Sequence, residues 1–293
     1  MKIEKWLDNN THSLKDKTIC ITGSTGDLAQ IFTEKLANLG ANFVFVNRNR
    51  EKSEKQRNQL LDKFPEIKIK IINTDFNDMN SVKLAVCKLK QIHIDILILN
   101  SAVYNIPRKT TTSGYDNVFQ VNFISQYYIA KQLLTNLRKI KNSKIVVIGS
   151  IAHNYSKTDF ADIQKLKAKK SSIAYGNSKR FLIASMQKLL ENHPVELSIV
   201  HPGVTLTKMT SHYPFFINWL VKIGIKLLFP KPEKACLSIL SGVFNSTSTN
   251  EWIGPKKHNI WGFPKKQKLK TISNEEASKI FFEAEKIYTA LNQ

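Results

Sequence analysis

Short apolar runs alternate with longer stretches of helical spacing along most of this chain, as expected for repeated strand and helix units. Thr18-Ile19-Cys20-Ile21 has the character of a buried strand, and the amphipathic stretch after it predicts a helix through about Leu39. The same reading gives strands at Phe43 to Val46, Lys68 to Ile72 and Asp95 to Leu99, with helices at Glu51 to Phe64 and Met79 to Lys90 between them. A long helix is expected from Gly114 to Arg138, a fifth strand from Ile145 to Ile148, a helix around Tyr175 and a sixth strand from Val195 to Val200. Glu251 to Pro255 open a last edge strand, followed by a lysine-rich connection and a terminal helix from Asn274 to Leu291. Each return to a parallel strand needs a crossover, and the helices supply it. The pattern predicts an α/β fold, a doubly wound parallel sheet of six to seven strands with helices on both faces, and 293 residues suffice for one such domain over 1–293.

The first strand runs into Thr22-Gly23-Ser24-Thr25-Gly26-Asp27-Leu28-Ala29 and then into a helix. A sharp glycine turn between strand and helix lets backbone approach a pyrophosphate, while the free N–H groups of the helix face its charge. This is a Rossmann-type dinucleotide turn, and without a ligand the same residues would simply be a tight connection. Tyr175 and Lys179 stand four apart in Tyr175-Gly176-Asn177-Ser178-Lys179, so they share one helix face, where a cation can lower the proton affinity of a phenol. Ser150 closes the apolar run Ile145-Val146-Val147-Ile148-Gly149 upstream, and Asn122 is a polar residue within the apolar long helix.

In this order the glycine turn, Asn122, Ser150, Tyr175 and Lys179 resemble the short-chain dehydrogenase/reductase family over roughly residues 14 to 255. Ser150-Ile151-Ala152-His153 and His201-Pro202-Gly203-Val204 look like its retinol-dehydrogenase-like branch. The resemblance implies a cofactor-binding half over 14–150, a catalytic and substrate-binding half over 150–255 with a lid at 206–231, and a C-terminal extension over 256–293. It implies an oxidoreductase interconverting a carbonyl and an alcohol, with Tyr175 as acid and base. Ser150 would bind the substrate oxygen, Lys179 the nicotinamide ribose, and Asn122 would link the lysine to solvent protons. The turn itself departs from the family pattern: Ala29 stands where a third glycine is common, and the first two glycines are one residue closer together.

The resemblance places further residues against the cofactor. Beyond Thr22, Gly23, Ser24, Thr25, Gly26, Asp27 and Leu28 these are Asn47 and Arg48 after the second strand, Asp75 and Phe76 after the third, Asn100, Ser101 and Ala102 after the fourth, and Pro202, Gly203, Val204, Thr205 and Thr207 after the sixth. Asn47-Arg48-Asn49-Arg50 lacks the carboxylate that would bind a ribose diol, and Arg48 offers a fork suited to a phosphate, so NADP(H) is expected over NAD(H). The interval between Ser150 and Tyr175 is longer than the family commonly shows, and His153 to Ser172 form a basic, polar insertion there.

Composition narrows the picture. The formal charge is +21, from 44 Lys and Arg against 23 Asp and Glu, but the cations are spread along the chain and no nucleic-acid motif organises them. A lysine-rich solvated surface is the expectation, with no nucleic-acid partner. Three cysteines without ligand spacing, and Cys20, His153 and His201 far apart in sequence, predict no metal site and a reducing compartment, the cytoplasm. Residues 213–229 are strongly apolar yet interrupted by Lys222 and Lys226, which suits a lid over an apolar substrate or, alternatively, peripheral contact with a membrane surface. Family members commonly pair helices between subunits, which implies a homo-oligomer. The alternative function is a non-catalytic dinucleotide-binding sensor with the same fold.

Overall fold

A computed structural model describes residues 2–155, 157–168, 170–203, 230–269 and 271–293. A short helix, α1 (Ile3–Asn10), precedes the first unit and buries Trp6. Then β1 (Thr18–Thr22), α2 (Asp27–Asn38), β2 (Asn42–Asn47), α3 (Arg50–Lys63), β3 (Ile69–Asn73), α4 (Met79–Leu89) and β4 (Ile96–Leu99) alternate as the hydrophobic spacing requires. A helical turn, α5 (Asn117–Phe119), a π-helical turn over Gln120–Ile124 and α6 (Ser125–Leu137) follow, then β5 (Lys144–Ile148), a 3-10 turn over Ile151–Asn154, α7 (Ser171–Leu189) and β6 (Glu196–Val200). After residue 230 come α8 (Pro232–Phe244), β7 (Glu251–Lys257), β8 (Trp261–Lys268) and α9 (Asn274–Ala290).

Among the described residues the strands form one eight-stranded sheet in the order β3-β2-β1-β4-β5-β6-β7-β8, parallel from β3 to β7. The count corrects the expected six to seven, because the lysine-rich stretch after Pro255 is not a connection but β8, paired antiparallel with β7. Its lysines suit that place: an edge strand studded with cations resists pairing with another chain. Alternate residues of the buried strands feed two cores. Cys20, Val44, Leu97, Val147 and Ile199 face the layer built by α4, α6, α7 and α9, while Ile19, Ile21, Phe43, Phe45, Ile98 and Val146 face α1, α2 and α8. Both faces of β1, β4 and β5 are therefore apolar.

Two departures from regularity matter for the site. The expected long helix is broken at Gln120–Ile124, where Ser125 N–H reaches back five residues to Gln120 O; this wider turn carries the Asn122 side chain. The terminal helix α9 lies across α6 and α7. Glu285 of α9 meets the Tyr127 hydroxyl and Lys131 of α6, Tyr288 accepts from Gln132 at 2.7 Å, and Glu276 pairs with Arg180 of α7.

Candidate active site

The carboxyl ends of β1, β4, β5 and β6 open into a cleft of about 930 Å³, the place where a doubly wound sheet binds ligands. One end of its wall is the turn after β1. Gly23 has φ +69°, and a β-carbon there would stand 3.0 Å from Ser101 Cα, so only glycine lets the β1 and β4 turns lie this close. Gly26 is the N-cap of α2 and makes no side-chain cap bond, and it lies in the cleft wall, so the positive end of the helix is at the cleft. Thr25, Asp27 and Leu28 complete this wall, with Asn100, Ser101 and Ala102 opposite.

Behind the wall a polar network fixes the turn. Ser24 N–H donates to Asn47 Oδ1 at 2.8 Å, Asn47 Nδ2 donates to Ser24 Oγ at 2.8 Å and to Ser53 Oγ at 2.9 Å, and Gln56 Nε2 donates to Ser24 O at 3.0 Å. The Thr22 hydroxyl donates to Gln126 Oε1 at 2.8 Å and accepts from Asn100 and Ser101 N–H, both at 3.0 Å. Asn100 Nδ2 in turn donates to the carbonyls of Thr22 and Gly23, at 3.0 and 2.8 Å. Thr22, Ser24 and Asn47 thus hold the turn from within, while Asn100 both clamps it and faces the cleft.

At the other end Ser150, Tyr175 and Lys179 converge. Ser150 caps the 3-10 turn, its Oγ accepting from Ala152 N–H at 3.2 Å. Lys179 is fully buried, donates to Ile148 O at 2.8 Å and lies 5.9 Å from the Tyr175 ring centre. Burial pushes its pKa down to about 8, so the cation still predominates at neutral pH. Tyr104 meets Tyr175 edge to face at 5.1 Å, and with Ile151 and Tyr155 it lends the wall an apolar patch beside the phenol. Pro202 and Gly203, the latter at φ +88°, floor the cleft beyond β6.

Asn122 lies deeper than expected. Its Nδ2 donates to Val103 O and to Ser178 Oγ, both at 3.0 Å, and its Oδ1 accepts from Val103 N–H at 2.7 Å. Its side chain therefore fixes the loop after β4 against α7, and the Lys179 ammonium donates to Ile148 O of β5. Arg48, Asp75 and Phe76 are not in the cleft wall. Arg48 is exposed, Asp75 accepts from Asn77 N–H at 2.9 Å, and Phe76 O accepts from Gln120 and Ser125 side chains at 3.2 and 2.8 Å. From α3, next to β2, Lys52 and Lys55 reach the wall, joined there by Gln56 and Gln59. Their spacing puts them on one helix face, a signal present in the sequence but indistinguishable there from an ordinary solvated side.

Val204, Thr205 and Thr207 lie outside the described residues, as do residues 206–229 of the expected lid, including the apolar stretch 213–229. His153 and His201, far apart in sequence, meet on the two sides of Trp252: His201 stacks on it at 5.1 Å and 12°, and His153 approaches edge-on at 5.2 Å. Burial holds both histidines neutral, at pKa values of about 4 for His153 and about 3 for His201. Among the described residues no group of three or more His, Cys, Asp or Glu could hold a metal, and no helix is long and apolar enough to cross a membrane.

A parallel sheet with a glycine turn after β1 and a tyrosine, lysine and serine at its far carboxyl end defines a nicotinamide-dependent oxidoreductase. Residues 17–214 match the family model for short chain dehydrogenases, and the chain belongs to that family, whose members are NAD(P)-dependent. It is 30% identical over 254 residues to an uncharacterised oxidoreductase of Schizosaccharomyces pombe, covering 80% of this chain and 74% of that one. It is 28% identical over 261 residues to retinol dehydrogenase 12 of Mus musculus, covering 83% and 81%, which agrees with the retinol-dehydrogenase-like pattern of the motifs. The fold is shared with a crystal structure of an uncharacterised protein from Mycobacterium paratuberculosis, with a TM-score of 0.75, 17% identity and 96% of each chain covered.

Proposed function

We propose that the protein interconverts an apolar carbonyl compound and its alcohol with NADP(H), Tyr175 being the acid and base. The observation that carries this reading is the convergence of Ser150, Tyr175 and Lys179 on the cleft that the Gly23 turn lines at its other end. The turn fits a dinucleotide: the Gly23 position would be filled by a β-carbon, and the N-terminus of α2 lies at the cleft. When bound, the nicotinamide supplies or accepts hydride at its C4.

In the direction of reduction, charge builds on the substrate oxygen and must be met by hydrogen-bond donors and then by a proton. The Ser150 hydroxyl is the donor and the Tyr175 phenol the proton source. A phenol near its ordinary pKa of about 10 gives up a proton reluctantly. The Lys179 ammonium, still protonated at neutral pH, stabilises the phenolate left behind. In oxidation the same groups act in reverse. Asn122 contributes by holding the Val103 loop and Ser178 in place.

The choice of NADP(H) rests on electrostatics. The run Asn47-Arg48-Asn49-Arg50 that closes β2 holds no carboxylate, which there would repel a ribose 2′-phosphate, and Lys52 and Lys55 bring two cations to the wall on that side, with Arg48 close by in sequence. The apolar character of the substrate is inferred from Tyr104, Ile151 and Tyr155 beside the phenol, and it is consistent with the name of the retinol dehydrogenase relative. The experiment is paired consumption of NADPH and NADH against a panel of aldehydes and ketones, repeated with Tyr175→Phe. Turnover with NADPH, lost in Tyr175→Phe while NADPH still binds, is expected. Binding of cofactor without turnover of any carbonyl would replace the enzyme by a sensor, and undiminished turnover in the variant would remove Tyr175 from its role.

A further inference from the structure

The 3-10 turn that Ser150 caps packs against α7 and is tied by hydrogen bonds to Thr271, in the C-terminal part of the chain. His153 Nδ1 lies 2.6 Å from Ser150 O and must donate, since a carbonyl only accepts. Its Nε2 is 2.9 Å from the Thr271 hydroxyl. Arg180, the residue after Lys179 on α7, donates from Nη1 to His153 O at 3.0 Å and from Nη2 to Thr271 O at 2.6 Å. Two further donors go to Glu276 in the first turn of α9, Nε to Oε1 at 2.8 Å and Nη2 to Oε2 at 2.5 Å. Only 4% of the Arg180 surface is exposed, and burial of a guanidinium without its carboxylate would cost far more than a surface pair. Thr158, in the insertion before α7, donates to the same Glu276 carboxylate at 2.6 Å.

Glu276 occupies the third helical position after the N-cap Ser273, where a glutamate ordinarily reaches back to the cap. Its carboxylate instead serves Arg180 and Thr158. We infer that Arg180 and Glu276 are positioning residues of the active site, a brace by which α9 fixes the turn carrying Ser150 and the helix carrying Tyr175 and Lys179. The C-terminal extension is thereby a working part of the site and not an appendage. The inference rests on the oxidoreductase reading above for its catalytic meaning; the brace itself does not.

The test compares Glu276→Gln with Glu276→Asp and with Glu275→Gln. Glu275 shares the first turn of α9 but is exposed and pairs only along its own helix with Lys279 at 2.8 Å. In Glu276→Gln we expect kcat to fall on the order of tenfold, the scale set by a slight misplacement of a reacting group. NADPH affinity by fluorescence titration should change less than about twofold, since the glycine turn is untouched. Amide hydrogen exchange at residues 150–155 should accelerate, Glu276→Asp should retain more of the activity, and Glu275→Gln should show none of these effects. Unchanged kcat in Glu276→Gln overturns the positioning role. So does a loss of activity, cofactor affinity and thermal stability together that Glu275→Gln reproduces, because that is helix stability alone. If the wild type turns over no carbonyl, the oxidoreductase reading fails, and unaltered exchange at 150–155 in Glu276→Gln would overturn the brace separately.

Discussion

A β-carbon placed on Gly176 would stand 2.1 Å from the carbonyl oxygen of Ala152. The glycine next to Tyr175 therefore sets how closely α7 approaches the turn next to Ser150, and with it the distance between phenol and hydroxyl. Gly176→Ala must push the two apart, since the obstacle is backbone and cannot swing away. The expected result is a fall in kcat on the order of a hundredfold and a loss of stability of about 1–3 kcal/mol. NADPH binding should be nearly intact. Steady-state kinetics with thermal unfolding tests it, and wild-type kcat would show that the turn accommodates the methyl group.

Cofactor preference should follow Lys52 and Lys55 more than Arg48, because only the lysines reach the cleft wall. Lys52→Ala with Lys55→Ala should weaken NADPH at least several-fold and leave NADH nearly unchanged, since surface cations act on a phosphate mainly through a field that salt screens. Arg48→Ala alone should do less. Titration of each variant with both cofactors at low and high salt decides the order.

Acid should destabilise the protein through His153 and His201. Their folded pKa values, about 4 and about 3, lie below the ordinary 6.5, so the unfolded chain binds protons that the native state refuses. The stability they contribute is complete above pH 6.5, declines as pH falls below it, and is lost once pH has passed through the folded values. At roughly 1.4 kcal/mol per pKa unit the loss is on the order of a few kcal/mol for each histidine. Urea midpoints between pH 7 and pH 4 should record the slope, and His201→Gln should flatten it; an equal slope in that variant would assign the protons elsewhere.

Asn122→Ala removes all three hydrogen bonds to Val103 and Ser178 and leaves two half-buried backbone groups of Val103 without this partner. A cost of about 2–4 kcal/mol is expected, together with reduced kcat. The pKa of Lys179 should stay near 8, because that ammonium is held by Ile148 O. A displaced lysine pKa in the variant, followed by the pH dependence of turnover, would restore a direct link between the two residues.

The sequence by itself determined the doubly wound order, the glycine turn and the serine, tyrosine and lysine of the cleft, because strand and helix periods and i,i+4 spacing are local and survive in one dimension. It failed where the deciding contact is distant in the chain. Lysines at 265, 266 and 268 look like a solvated connection until β7 supplies a strand to pair with, and nothing local to Asn122 marks Val103 and Ser178 as the partners of its side chain. Lys52 and Lys55 line the cleft and Arg48 does not, a distinction set by how α3 packs beside it. Arg180, Glu276 and the pairing of His153 with His201 around Trp252 were decided by tertiary structure alone. They join segments about fifty to a hundred residues apart, and a partner's charge, shape and burial are set by packing, which no local pattern records.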